Sequence, residues 1–302
     1  MSAHKPIGIV GLGQIGSGMA ERLVRRGYAV LGYDIAARAR EKAASIGVRN
    51  AAGLGELVVE CDTILTSLSS VSAIEQTYLG AGGLASSKSK GLLAIECSTI
   101  APTIARRITE TMHANGHMAI EASVIGQHRE AVAGTLFFVV SGSAQAVSRA
   151  HDILGALGRG HVHIGPSGTA AAAKLINNAI GAVAICAIAE ALTLARDLEI
   201  DPTAFVQLVN EGQGAGSSVV FERHAKHMAN WAQSTRSPTP IALKDSIGLA
   251  ELVGDRQCAF PLMSGMVALY DELLHEAPRP QAEMLAERAD QRLAALSKKN
   301  KP

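Results

Sequence analysis

Through residue 164, short apolar runs rich in β-branched residues alternate with stretches whose apolar positions recur at helical spacing. The runs fall at 7–11, 29–34, 62–68, 92–97, 118–122, 136–142 and 161–165. The clearest helical stretches between them are 15–26, 37–46, 102–114 and 144–157. Pro102 suits a first helical turn, with Ser98 and Thr99 as capping groups just upstream. Seven strands joined mainly through helices predict an α/β domain on a doubly wound, mostly parallel sheet.

After Gly165-Pro166-Ser167-Gly168 the alternation stops and only helical spacing remains, so the second half reads as all-α. Its first helix, over 170–198, is alanine-rich and about 40 Å long at 1.5 Å per residue, enough to join two domains. Further helices are predicted over 202–210, 217–233, 241–253, 262–276 and 281–297, with 298–302 a frayed end. The expected division is one domain over 1–164 and an all-α domain over 165–302, for substrate and oligomer contacts. The apolar stretch 175–189 lies between Lys174 and Glu190 and includes Asn177 and Asn178. A membrane span takes roughly 18 or more apolar residues, so a buried core helix is read here and no membrane partner is expected.

Composition narrows the classes of function. The 302 residues carry 28 Lys and Arg against 27 Asp and Glu, a formal charge of +1 that provides no general field for nucleic acid or anionic membranes. One Trp, four Tyr and five Phe leave little for base-stacking surfaces. Cys61, Cys97, Cys186 and Cys258 form no C-x-x-C pair and read as reduced, mostly buried thiols. With an N-terminus that lacks the pattern of a signal peptide, they predict a cytoplasmic protein.

The strongest local signal is GLGQIG, placing Gly11, Gly13 and Gly16 between the first strand and first helix, with Leu12, Gln14 and Ile15 among them. Such glycines permit a tight turn, close approach of backbone to a pyrophosphate, and close helix–strand packing; the free N–H groups of the helix start receive the anion. Asp34 closes the second strand 18 residues after Gly16, where a carboxylate accepts hydrogen bonds from ribose hydroxyls. The pair predicts a Rossmann domain holding NAD. A 2′-phosphate would be repelled by Asp34, although Arg38 and Arg40 downstream keep NADP possible. Leu68 and Ser69, at the end of the third run, join the candidate cofactor contacts.

Lys174, with Asn178 one helical turn on, is the second candidate. By itself such a Lys reads equally well as a stem lying on apolar surface with its head in water, or as a proton donor and acceptor whose pKa is lowered by desolvation and an oxidised nicotinamide.

These segments resemble the β-hydroxyacid dehydrogenase family, typified by 3-hydroxyisobutyrate dehydrogenase and including tartronate semialdehyde reductases and threonate-type dehydrogenases. The resemblance covers nearly the whole chain, through GLGQIGSGMA (11–20), ECSTIAP (96–102), GTL (134–136), GPSGTAAAAKLINN (165–178) and LKDSIGLA (243–250). It implies that Lys174 is the catalytic Lys and Asn178 the Asn that orients substrate. It further implies that Lys244 and Asp245 lie beside the nicotinamide, and that Ser98 and Thr99 contact its ribose region. A small-molecule substrate and a homodimer or homotetramer follow from the same resemblance.

One segment departs from the family. Where its substrate loop reads D-A-P-V-S-G-G, this chain has Glu121-Ala122-Ser123-Val124-Ile125-Gly126-Gln127, so Ile125 replaces the carboxylate-binding Ser. Gly126 keeps its backbone N–H, Ser123 is placed to compensate and His128 or Arg129 to supply positive charge, and Gln127 completes the candidate substrate contacts. Three functions therefore stand: a 3-hydroxyacid dehydrogenase, a reductase of a larger or less acidic carbonyl compound, and an NAD-binding regulatory protein without catalysis. The presence of Lys174 with Asn178 weighs against the last. His161 with His163, and His224 with His227, have metal-like spacing but no completing ligand, so no metal is expected. Ser217 and Ser218 read as a helix cap, with the substrate cleft as the alternative.

Overall fold

The computed structural model describes residues 5–212, 214–229, 240–274, 285, 288–289 and 291–292. The predicted helix 281–297 and the tail 298–302 lie largely outside these residues. The chain divides into two compact units, Met1–Leu175 and Ile176–Pro302.

The first unit runs β1 (Ile7–Val10), α1 (Gln14–Arg25), β2 (Val30–Tyr33), α2 (Ala37–Ser45), β3 (Arg49–Asn50), α3 (Leu54–Glu60), β4 (Thr63–Thr66), α4 (Val71–Leu79) and β5 (Leu93–Glu96). It continues with α5 (Pro102–Ala114), β6 (Met118–Ile125), α6 (His128–Ala133), β7 (Leu136–Ser141), α7 (Ala144–Leu157) and β8 (Gly158–His163). The sheet order is β3-β2-β1-β4-β5-β6-β7-β8, parallel throughout except that β6 and β7 pair antiparallel. A doubly wound, mostly parallel sheet followed by helices is thus the architecture. The eighth strand is β3, two exposed polar residues whose partner in the sheet is β2. Helices α3, α4 and α6 likewise join the four expected in this region.

Why the strands read as near-continuous apolar runs is visible in the packing. Helices cover both faces of a parallel sheet, so consecutive side chains are both buried, but into different cores. Ile9, Leu65, Ile95 and Ile120 are in register and belong to the core that also holds Met19, Leu23 and Phe138. Ile64 and Ala94 face the opposite core with Ile74, Tyr78, Ile108 and Met112. Pro102 opens α5, but the residue before the helix is Ala101, without a capping side chain. Ser98 does not cap it: its hydroxyl accepts instead from Leu68 N at 2.8 Å.

Helix α8 (Thr169–Asp197) bridges the division, its first turns buried in the first unit through Ala170 and Ala171. The second unit continues with α9 (Pro202–Gly212), α10 (Val219–Ala229), α11 (Pro240–Val253) and α12 (Pro261–Leu274). Its core gathers Cys186 and Leu192 of α8 with Val206, Phe221, Leu249, Met266 and Tyr270. By length and composition alone α8 could cross a membrane; that face of it, however, supplies the core of the second unit. Cys61, Cys97 and Cys186 are buried and Cys258 exposed. Burial pushes the Cys61 and Cys186 thiols up to about 12, which leaves little thiolate for oxidation.

His117, at the entry to β6, is 2% exposed. Burial, aided by the charge of Lys90, lowers its pKa. The unfolded chain then binds the proton more readily than the folded one, so stability falls as pH drops below the unfolded value of about 6.5. His117→Gln is expected to flatten the decline in urea midpoint between about pH 6.5 and 5 relative to wild type.

Candidate active site

All the candidate cofactor contacts of the first unit meet at the carboxyl ends of its central strands, where doubly wound sheets bind ligands. Gly11 turns out of β1 with φ +89°, and a Cβ there would stand 2.2 Å from Ser67 O. A Cβ on Gly16 would stand 1.8 Å from Gly11 O. Both glycines are required by the fold of the chain itself. Gly13 differs: its φ is −66°, which any residue tolerates, and a Cβ there meets nothing within 4 Å. It is exposed, as is Gln14, and it precedes α1 with no side chain capping the helix and no acidic residue in the first turn. An uncapped helix start under open space suits an anion, and a dinucleotide pyrophosphate fits this loop.

Around the loop, Asp34 accepts from Leu12 N at 2.7 Å through Oδ2 and from Ala36 N at 2.8 Å through Oδ1. Arg40 donates to the carbonyls of Asp34 and Ile35 at 2.7 and 3.1 Å, so its guanidinium braces the loop after β2. Arg38 is exposed and borders, with Lys42, Gln14 and His128, a cavity of about 550 Å³ beside Gly13. Leu68 is half-buried and Ser69 exposed after β4, Ser98 is buried and Thr99 half-buried after β5. The bond from Leu68 N to Ser98 joins these two strand ends.

Beneath them lies a polar row that sequence reading missed. Thr66, Glu96, Glu121 and Ser141 are in register across four strands, next to Val10 of β1, and all are buried. Glu96 accepts from Thr66 Oγ1 at 2.8 Å and from Ser98 N, and Thr66 Oγ1 is 2.8 Å from the Tyr78 hydroxyl. Burial, then the Glu96 charge, raises the Tyr78 pKa. The signal available in the sequence was a carboxylate closing an otherwise apolar strand.

The segment 121–127 is strand as far as Ile125, not loop. Ser123 is buried inside β6, Ile125 is half-buried, and Gly126 turns with φ +137°. Gln127 closes a capping box with Glu130 at the start of α6. His128 Nδ1 lies 2.7 Å from Gln14 O, so this side chain supports the glycine loop, and Arg129 is exposed.

Lys174 and Asn178, both half-buried, stand one turn apart on α8. Within the second unit Asn178 Nδ2 donates to Asp245 Oδ2 at 2.7 Å, joining α8 to α11. Lys244 is on α11; its side chain lies outside the described residues. Ser218 caps α10, accepting from Phe221 N at 3.1 Å, and with Ser217 borders a cavity of about 730 Å³. His163 Nε2 is 3.0 and 3.1 Å from the carbonyls of Gly142 and Gly165, and His161 stacks edge-on with His151. The side chain of His227 lies outside the described residues. Among the described residues no cluster of His, Cys, Asp or Glu could hold a metal.

Comparison with known proteins agrees with this geometry. The NAD binding domain of 6-phosphogluconate dehydrogenase matches residues 6–165, and the NAD-binding domain of NADP-dependent 3-hydroxyisobutyrate dehydrogenase matches 168–286. The chain belongs to the β-hydroxyacid dehydrogenase family. This family member is an NAD(P)-dependent dehydrogenase. Among its relatives, an NAD-dependent L-serine dehydrogenase of Pseudomonas aeruginosa is 31% identical over 80% of this chain and 76% of its own. An L-threonate dehydrogenase of Cupriavidus necator is 31% identical over 85% of each. The solved 3-hydroxyisobutyrate dehydrogenase of Mycobacterium tuberculosis, with L-serine, is 26% identical with a TM-score of 0.81, covering 93% of this chain and 98% of that one.

Two glycine substitutions separate cofactor space from chain packing. Gly13→Ala is expected to keep the melting temperature and weaken NAD binding about tenfold or more, whereas Gly16→Ala destabilises the fold. Calorimetry and NADH fluorescence titration on both variants check it.

Proposed function

We propose that the protein uses NAD in preference to NADP to interconvert a small 3-hydroxy acid and its semialdehyde, with Lys174 as general acid and base. When bound, the nicotinamide accepts or supplies the hydride. Lys174 Nζ takes the hydroxyl proton in oxidation and returns it in reduction, an effect typically worth about 10² to 10⁴ in rate. Asn178 holds the substrate in register with Lys174, and Asp245 holds Asn178 by its 2.7 Å bond. In this reading Lys244 and Asp245 are nicotinamide contacts, and Ser98 and Thr99 are contacts of its ribose region.

The observation that carries the reading is the Asn178–Asp245 bond one turn beyond Lys174. The bond ties α8 to α11 and also holds an amide one turn from Lys174, where a substrate-orienting group is needed. NAD is favoured because Asp34 offers a carboxylate where a 2′-phosphate would have to sit, and Arg40, engaged by backbone carbonyls, does not offset it. The acids named for the relatives, serine, threonate and 3-hydroxyisobutyrate, bound the substrate class. Ile125 removes a hydroxyl donor for the substrate carboxylate, which favours a different carboxylate contact or a larger carbonyl substrate. A homodimer or homotetramer in the cytoplasm completes the proposal, together with a division into cofactor and substrate domains near residue 165.

Lys174→Ala is expected to bind NADH within about twofold of wild type and to lose about 10²-fold or more in kcat. Stopped-flow rates and fluorescence titration decide it; undiminished kcat in the variant removes Lys174 from the mechanism.

A further inference from the structure

The start of α8 is held from outside the helix. Gly168, the residue before it, has no side chain with which to cap the orphan N–H groups of the first turn. Its φ of +92° and the nearness of Arg106 and Pro102 O to any Cβ there require glycine. The missing acceptor comes from Glu121 on β6. Its Oε1 accepts from Gly168 N at 2.7 Å and from Ser167 Oγ at 2.7 Å, and its Oε2 accepts from Ala171 N at 3.1 Å. Ser167 Oγ also lies 2.9 Å from Thr109 Oγ1 on α5. Glu121 is 3% exposed, and Lys174 stands three residues after Ala171, at a spacing where helical side chains tilt back toward the preceding turn, here the one that Glu121 holds.

We infer that Glu121 is the positioning residue for Lys174: its carboxylate fixes the height and rotation of the first turn of α8, and with it the place of the ammonium. The inference rests on Lys174 being the general acid and base. It makes two neighbouring carboxylates do different work. Glu96 and Glu121 are in register on adjacent strands and equally buried. Glu96 binds Ser98 N and Thr66 Oγ1 and so serves the strand end assigned to the cofactor. Among the described residues, Glu121 binds the approach to α8 and its first turn. A Gln at 121 keeps the shape but puts an N–H₂ group where Ala171 N–H needs an acceptor. A Gln at 96 is better tolerated, because its amide can donate to the Thr66 hydroxyl.

The test compares Glu121→Gln, Glu121→Asp and Glu96→Gln in kcat, NAD affinity and melting temperature, with Lys174→Ala alongside. Displacing a catalytic group by about 1 Å can cost about 10²-fold in rate. Glu121→Gln is therefore expected to lower kcat about ten- to a hundred-fold with NAD affinity within about twofold, and Glu121→Asp to recover part of that loss. Glu96→Gln is expected to weaken NAD binding several-fold, through the strand end that Glu96 holds. Unchanged kcat in Glu121→Gln overturns the inference. So does a parallel loss of kcat and NAD affinity in both Gln variants, which is what general loosening of the sheet would give. If Glu121→Gln does not fold, Ser167→Ala decides: a several-fold fall in kcat at unchanged NAD affinity supports the inference, and no fall overturns it. Full turnover in Lys174→Ala would instead defeat the assignment of Lys174, whatever the glutamates do.

Discussion

Parallel pairing from β3 through β6 sends the carboxyl ends of six strands to one edge of the sheet, and the rest of the structure is organised by that constraint. Five of these strands deliver groups there. β1 delivers the glycine turn and uncapped helix, β2 delivers Asp34, β4 and β5 deliver Leu68 and Ser98 joined by a hydrogen bond, and β6 delivers Glu121 to the start of α8. Helix N-termini near this edge carry free N–H groups that need partners. The two that matter are treated oppositely. The start of α1 is open to solvent and suits a phosphate, while the start of α8 is closed by a buried carboxylate. One is built for a ligand, the other for rigidity.

Strands β1, β2 and β4 to β7 were legible because they are buried largely on both faces, which leaves an apolar run in the sequence whatever the register. Arg49–Asn50 was not, since two exposed polar residues pairing with β2 carry no such run. Helix α6 hides behind polar residues, although Gln127 and Glu130 spell its capping box. The cofactor loop could be read residue by residue because its glycines obey a spacing. What spacing did not reveal was why each is there: Gly11 and Gly16 for the chain, Gly13 for open space.

The buried glutamates were hardest to read. Glu96 looks like the last residue of a strand, and Glu121 like the first of a substrate loop. Only strand register shows them side by side under the site, and only the hydrogen bonds show that they point to different elements. A buried carboxylate without partners would be costly, so each must be matched by donors. Those donors belong to the ends of β4 and β5 and the start of α8, the segments that carry the proposed cofactor and proton-transfer groups.

The measurement that tests the account most directly is the initial rate of nicotinamide reduction by the intact protein. NAD and NADP would each be supplied with L-serine, L-threonate, 3-hydroxyisobutyrate and longer 3-hydroxy acids. The account predicts oxidation of at least one of these acids, with NAD favoured over NADP in kcat/KM. Firm NAD binding with no turnover of any hydroxy acid or semialdehyde would contradict it.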